Sequence, residues 1–381
     1  MSTEYPSTPP KLPDAPPWND ALPPVQPPNA RFLVQLFVIP GMIVLIIVMI
    51  WMMFHWLAQM GNDSDAFIKA LEADNANRWH AAYNLSHVLR TDGDASLKLK
   101  QDVNTANRLA AILTKALKEP RLNDNSKSEG LNAEGIRDAH LALRSYLATA
   151  LGYFHTREVL PVLLVAASQR ERPDDDVVRR EAFRSIAMLS TTLKSLNQPP
   201  LSHPELIDVL LIGSEDEAVS VREAATFALG TIPVAAMPPT AEQGVASTEK
   251  SSTDKSDRVT SRLRALLYDG EPNVRYNAAT GLAEQGDMRC VPVLLDMLEP
   301  EQKQATKNET GSNIEFKRTM ILVNGMRATK KLMSFNPKEK QPKLEAAVAV
   351  LTDDSSREVR DTAVALQAHL QLDRSKPSAA P

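Results

Sequence analysis

"NVRYNAATGLAEQGDMRCVPVLL", residues 273–295, holds the only cysteine of the chain, Cys290, beside Arg289. A thiol next to a cation has the makings of a nucleophile. The same letters also read as two short helices around a Gly-Asp turn. Apolar residues recur at helical spacing, Gly286 suits a helix end, and Pro292 sits early in the second helix, where a missing N–H costs little. The relatives of the first ten residues decide between the readings. "VVRREAFRSI" (177–186), "SVREAATFAL" (220–229) and "EVRDTAVALQ" (358–367) share its frame. Each has Val-Arg at Arg179, Arg222, Arg275 or Arg360, then alanine three residues on, at Ala182, Ala225, Ala278 or Ala363. Ile186, Leu229 and Leu282 follow seven after the arginine, and Leu366 one place earlier. Looser copies start at Arg78, Arg144 and Arg318, the last the most divergent.

Each copy has an apolar companion helix, at 157–168, 203–214, 258–270, 289–300 and 343–354, and a short acidic turn leads into the next Val-Arg. Arginine spacings from Arg144 are 35, 43, 53, 43 and 42, the longest containing a Ser/Thr-rich insert at 240–257. The 66-residue gap from Arg78 to Arg144 leaves room for a further helix at 103–118. Alternating small Ala and large Leu or Ile let two helices approach and interdigitate. A pair this short cannot bury both apolar faces alone, so it stacks on its neighbours. Asp353, Asp354 and Ser355 can cap the helix after them, and Gly230 and Gly281, like Gly286, are expected at helix ends.

The pattern V-R-x-x-A-x-x-x-L, followed by a turn and a P-x-L-L helix, resembles the HEAT repeat, and the subgroup found in phycobilisome lyases in particular. The resemblance covers roughly residues 64–371. It implies an all-α fold, a right-handed α-solenoid of stacked antiparallel helix pairs. It also implies an inter-repeat ladder in which Arg179, Arg222, Arg275 and Arg360 meet turn acids, with Asp175, Glu217, Glu271 and Asp354 as partners.

The N-terminal part is a different kind of polypeptide. Residues 1–31 hold ten prolines; they cannot propagate a helix or a sheet ladder, and a disordered, polyproline-II-like arm is expected. Residues 32–58 read as a transmembrane helix. From Leu36 to Phe54 there are 19 residues without a polar interruption, close to the ~30 Å of a bilayer core. Trp51 and Trp56 stand at one end as an interfacial anchor. Lys11 and Arg31 on one side balance Lys69 and Arg78 on the other, and Arg31 abuts the span. A single-pass signal anchor with its N-terminus inside is the favoured orientation. Residues 64–371 form the solenoid, with flexible inserts near 119–135, 239–257 and 300–313, and 372–381 form a disordered tail.

Composition excludes several functions. The net charge of −4 argues against a nucleic-acid binder working through a basic face. One cysteine permits no internal disulfide and no cysteine-rich zinc site. No phosphate-loop, nucleophile-elbow or zincin motif is present. His80 and His87 could share a helix face but lack a third ligand. Cys290, among Val291, Pro292 and Leu294, reads as a small buried hydrophobe. No catalytic residue, cofactor or metal is therefore expected. The reading is a membrane-anchored scaffold whose partners are the lipid bilayer and another protein, of an identity the sequence does not disclose. The resemblance supplies the alternative, a lyase or tetrapyrrole-handling protein.

Overall fold

Helices account for nearly everything the computed structural model describes, namely residue 31 and residues 34–60, 64–73, 78–119, 133–233, 245–337 and 339–375. Among these there is no strand. The chain divides into two units, Met1–Gly61 and Asn62–Pro381. In the first, a π-turn at Val34–Val38 leads into α1 (Ile39–Met60). Leu36–His55 gives 20 residues long and apolar enough to cross a membrane. Every side chain described from Leu36 to His55 is exposed, so this helix has no core to explain its composition. Trp51 is 64% exposed and stacks on His55; the Trp56 side chain lies outside the described residues, as does the proline-rich arm.

The second unit is two rows of helices. The first row is α3 (Arg78–Arg90), α6 (Ala133–Leu151), α8 (Asp175–Ser195), α10 (Val219–Thr231), α12 (Pro272–Ala283), α15 (Ser312–Phe335) and α17 (Arg357–Ser375), each touching the next. The second row is α2 (Ser64–Glu72), α5 (Val103–Lys118), α7 (Leu160–Ala167), α9 (Leu206–Gly213), α11 (Val245–Leu266), α13 (Val291–Met297) and α16 (Pro342–Val350). Each second-row helix packs on the first-row helix that completes its pair. Seven pairs stand among the described residues. Two short helices, α4 (Asp94–Gln101) and α14 (Lys303–Thr306), lie in connections. The helix at 103–118 fills the long gap, and the divergent copy at Arg318 is a full helix.

The repeat residues form the seam between pairs. Ala182, Ala225, Ala278 and Ala363 are fully buried, as are Ile186, Leu229 and Leu282. Pro161, Pro272, Pro292 and Pro342 all fall in the first two positions of their helices. Asp102 caps α5 by accepting from Asn104 N and Thr105 N. Gly286 has φ +74, as a helix end requires.

Three expectations need correction, and a fourth holds for a different reason. Gly230 and Gly281 do fall in the last turns of α10 and α12, but without the positive φ of a helix-ending glycine; they face each other, and a Cβ on Gly281 would lie 2.7 Å from Gly230 Cα. They are small so that two backbones can touch. The stretch expected to be a flexible loop at 239–257 is helical from Val245 onward; residues 239–244 lie outside the described ones. After Gly244 no Gly or Pro interrupts the chain before Gly270, so the helix seated by buried Val259, Leu263 and Leu266 extends upstream. The 300–313 insert is tied down as well. Gln302 is 2% exposed, and its Nε2 donates to the carbonyls of Asp296, Met297 and Glu299 at 2.8, 2.9 and 3.0 Å, capping the end of α13. Finally, α17 continues to Ser375, past the start of the expected tail. Of the insert at 119–135, residues 120–132 lie outside the described residues.

Candidate functional site

The turns that enter the first-row helices bring charge to the seam. Arg179 Nε and Nη2 each donate to Asp216 at 3.0 Å, while Nη1 reaches the Gln169 carbonyl at 2.9 Å. Arg222 repeats this one step on, with Asp269 at 3.2 and 3.4 Å and the Asp216 and Glu217 carbonyls at 2.9 and 3.0 Å. Arg78 forks onto Glu119 at 3.0 and 2.8 Å, Arg144 meets Asp175 at 2.6 Å, and Arg318 meets Asp354 at 3.2 Å. Arg360 ends the series on the Asp354 and Ser355 carbonyls. Arg275 is the loose rung. It contacts Asp296, which sits on α13 rather than in the turn after it, at 3.5 Å.

Two of the expected acids are replaced by neighbours. Asp175 and Asp354 do meet arginines, those of the preceding pair, but Glu217 and Glu271 do not. Asp216 and Asp269 stand in their places. An aspartate there can do two things at once. Asp216 Oδ1 accepts from Ala218 N, Asp269 Oδ1 from Glu271 N and Asp354 Oδ1 from Ser356 N, while the carboxylate still faces the previous repeat. The signal was legible as Asp-x4-Val-Arg, at residues 216–222, 269–275 and 354–360. Burial alone would raise the Asp216 carboxyl; the Arg179 guanidinium, the Ala218 N–H and Arg170 outweigh it and hold it below its usual range.

Cys290 is fully buried. Burial first, and the Asp287 charge second, push its thiol up to about 12. It is protonated at neutral pH and shielded from solvent. His80 stacks on Trp79 and His87 lies against Tyr83. Among the described residues no three His, Cys, Asp or Glu side chains gather as a metal site would require.

Among the described residues, a groove of about 500 Å³ runs across three consecutive first-row helices, α3, α6 and α8. Tyr83, Tyr146 and Tyr153 line it. Tyr83 and Tyr146 meet edge to face, ring centroids 5.2 Å apart at 71°. On the α8 side Arg180 and Glu181 bond each other at 2.8 Å, and Glu181 also accepts from Arg184. These tyrosines were not singled out in the sequence. The available signal was a bias: three of the chain's six tyrosines fall between residues 83 and 153. The groove gathers aromatic faces and hydroxyls along an open channel.

Stacked helix pairs joined at a buried Arg–Asp seam define a helical-repeat protein. Residues 274–300, which overlap the stretch first quoted, match the family model described as PBS lyase HEAT-like repeat. Among solved structures it is similar to the complex of CpcE and CpcF of phycocyanin lyase from Nostoc sp. PCC7120, at 18% identity, covering 81% of this chain and 94% of that one, with a TM-score of 0.40. It is also similar to a designed armadillo repeat protein, at 14% identity, 80% and 98% coverage and a TM-score of 0.34. Human deoxyhypusine hydroxylase in complex with glycerol matches at 17% identity, 82% and 98% coverage and a TM-score of 0.29. Comparison with curated proteins gives no match.

Proposed function

We propose that this chain is a membrane-anchored scaffold that holds a partner protein in the groove between α3, α6 and α8. The observation carrying the proposal is the groove itself, open along three helices and lined by half-exposed tyrosines, a residue type enriched where proteins bind one another. The 20-residue apolar span supports the anchor, with the N-terminus inside. Anchoring raises the effective concentration of the scaffold for partners at the same membrane. The Arg–Asp seam serves to fix the pairs so that the groove keeps its shape.

The test places a photo-crosslinking amino acid at Tyr83 in the full chain, in its own membranes, with the exposed Glu358 as control position. A protein adduct specific to Tyr83 is the expected result. No adduct, or the same adducts at both positions, would remove the scaffold reading, and turnover of a tetrapyrrole by the purified chain would replace it with the lyase alternative. Release of the chain by alkaline carbonate would remove the anchor.

A further inference from the structure

We infer that the occupant of the groove is an extended, proline-containing segment of the partner with a basic residue at one end; this rests on the groove being the partner site. Three observations carry it. The first is shape. Asp138 lies near the start of α6 and Tyr153 just past its end, so the groove follows this helix for roughly 20 Å at 1.5 Å per residue. A polyproline-II segment of about six residues spans that length at ~3.1 Å each.

The second is chemistry. Tyr83 is 44% exposed, and its edge-to-face contact with Tyr146 leaves ring faces open to the channel. Proline rings pack on such faces, and a polyproline-II backbone is ordered before it binds. That backbone has few N–H groups to satisfy but keeps all its carbonyls, so its site must donate. The groove has donors to spare. Arg90 has no ion-pair partner among the described residues. The phenolic hydroxyls add to the set.

The third is charge. Asp138 lines the α6 end of the groove and is likewise unpaired among the described residues. Glu181 is already held by Arg180 and Arg184. A single free carboxylate at one end of an aromatic channel gives a bound segment its direction, by meeting a lysine or arginine beside the proline run.

The test uses the full chain in lipid nanodiscs and three fluorescein-labelled synthetic peptides, RPPLPP, RGSLGS and EPPLPP, followed by fluorescence anisotropy. RPPLPP should bind about tenfold more tightly than either of the others, and Tyr146→Ala should weaken it by about tenfold. Asp138→Asn, an exposed change that leaves the core intact, should abolish the preference for RPPLPP over EPPLPP while leaving the preference over RGSLGS. Equal binding of RPPLPP and RGSLGS, or discrimination indifferent to Asp138→Asn, would overturn the inference whether or not the alanine variant folds. Absence of peptide binding alongside a persistent Tyr83 crosslink would overturn the segment class and leave the scaffold standing; loss of both would remove both.

Discussion

Replacing Asp216 with alanine is the sharpest test of the seam. Its side chain is 2% exposed and accepts from Arg179 twice, from Arg170 and from the Ala218 N–H. Asp216→Ala leaves the guanidinium of Arg179, whose side chain is 9% exposed, without its carboxylate. Removing one member of a buried pair costs about 3–5 kcal/mol, because a charge is left buried without compensation. The exposed pair of Arg258 and Asp208 provides the contrast. Its side chains are 44% and 53% exposed, so Asp208→Ala should cost about 0–1 kcal/mol. Replacing both Asp216 and Arg179 with leucine and methionine should restore most of the loss. Urea unfolding followed by circular dichroism measures all four chains. Hydrogen exchange localises the effect, which should centre on α8 to α10 because repeat arrays open piecewise. An Asp216→Ala cost within 1 kcal/mol of Asp208→Ala would refute the reasoning.

The remaining predictions are smaller in scope. The Asp216 carboxyl is held below its ordinary value, so it contributes stability that is present above the unfolded pKa near 3.8 and lost as pH falls through the lower folded value. Acid titration of Asp216→Asn should therefore show a flatter stability profile below that pH than the parent; an identical profile contradicts the assignment. Gly281→Ala drives a methyl against the Gly230 backbone and should cost about 1–3 kcal/mol by overpacking; a neutral melting curve would mean that the helices are free to separate. Cys290 should resist iodoacetamide in the native chain at about pH 8 and react once denaturant is added, since its thiol is buried and protonated. Fast native labelling would reinstate it as a reactive group.

The repeat was legible because stacking leaves a periodic trace. Arginine, alanine and a large aliphatic residue recur wherever one pair must meet the next, and these positions fall in the buried seam. The identity of the turn acid was legible in principle and was misassigned at Glu217 and Glu271. Acids at a helix start are expected from the helix dipole alone, and only the fixed interval to the arginine distinguishes the aspartate that also reaches backwards. Gly230 and Gly281 do stand in last helical turns, but the reason was misread for a related cause: a glycine that ends a helix and one that lets two helices touch look alike until the neighbour is known. The groove left almost no trace. Its residues run from Tyr83 to Glu181 across three helices, and none repeats in the other pairs, so no periodicity points to them.

The loose rung at Arg275 has a mechanical consequence. Elsewhere each turn is clamped from the repeat before it by a fork or a short single bond. Between α12 and α15 the arginine, which also donates to the Asp269 and Gly270 carbonyls of its own turn, reaches the next pair through one 3.5 Å contact to a half-exposed carboxylate on a helix flank. Tension applied along the array is carried by these clamps in series, and a chain of links yields at its weakest. Under load the array would part there first, into a block that contains the groove and a shorter block that ends in α17.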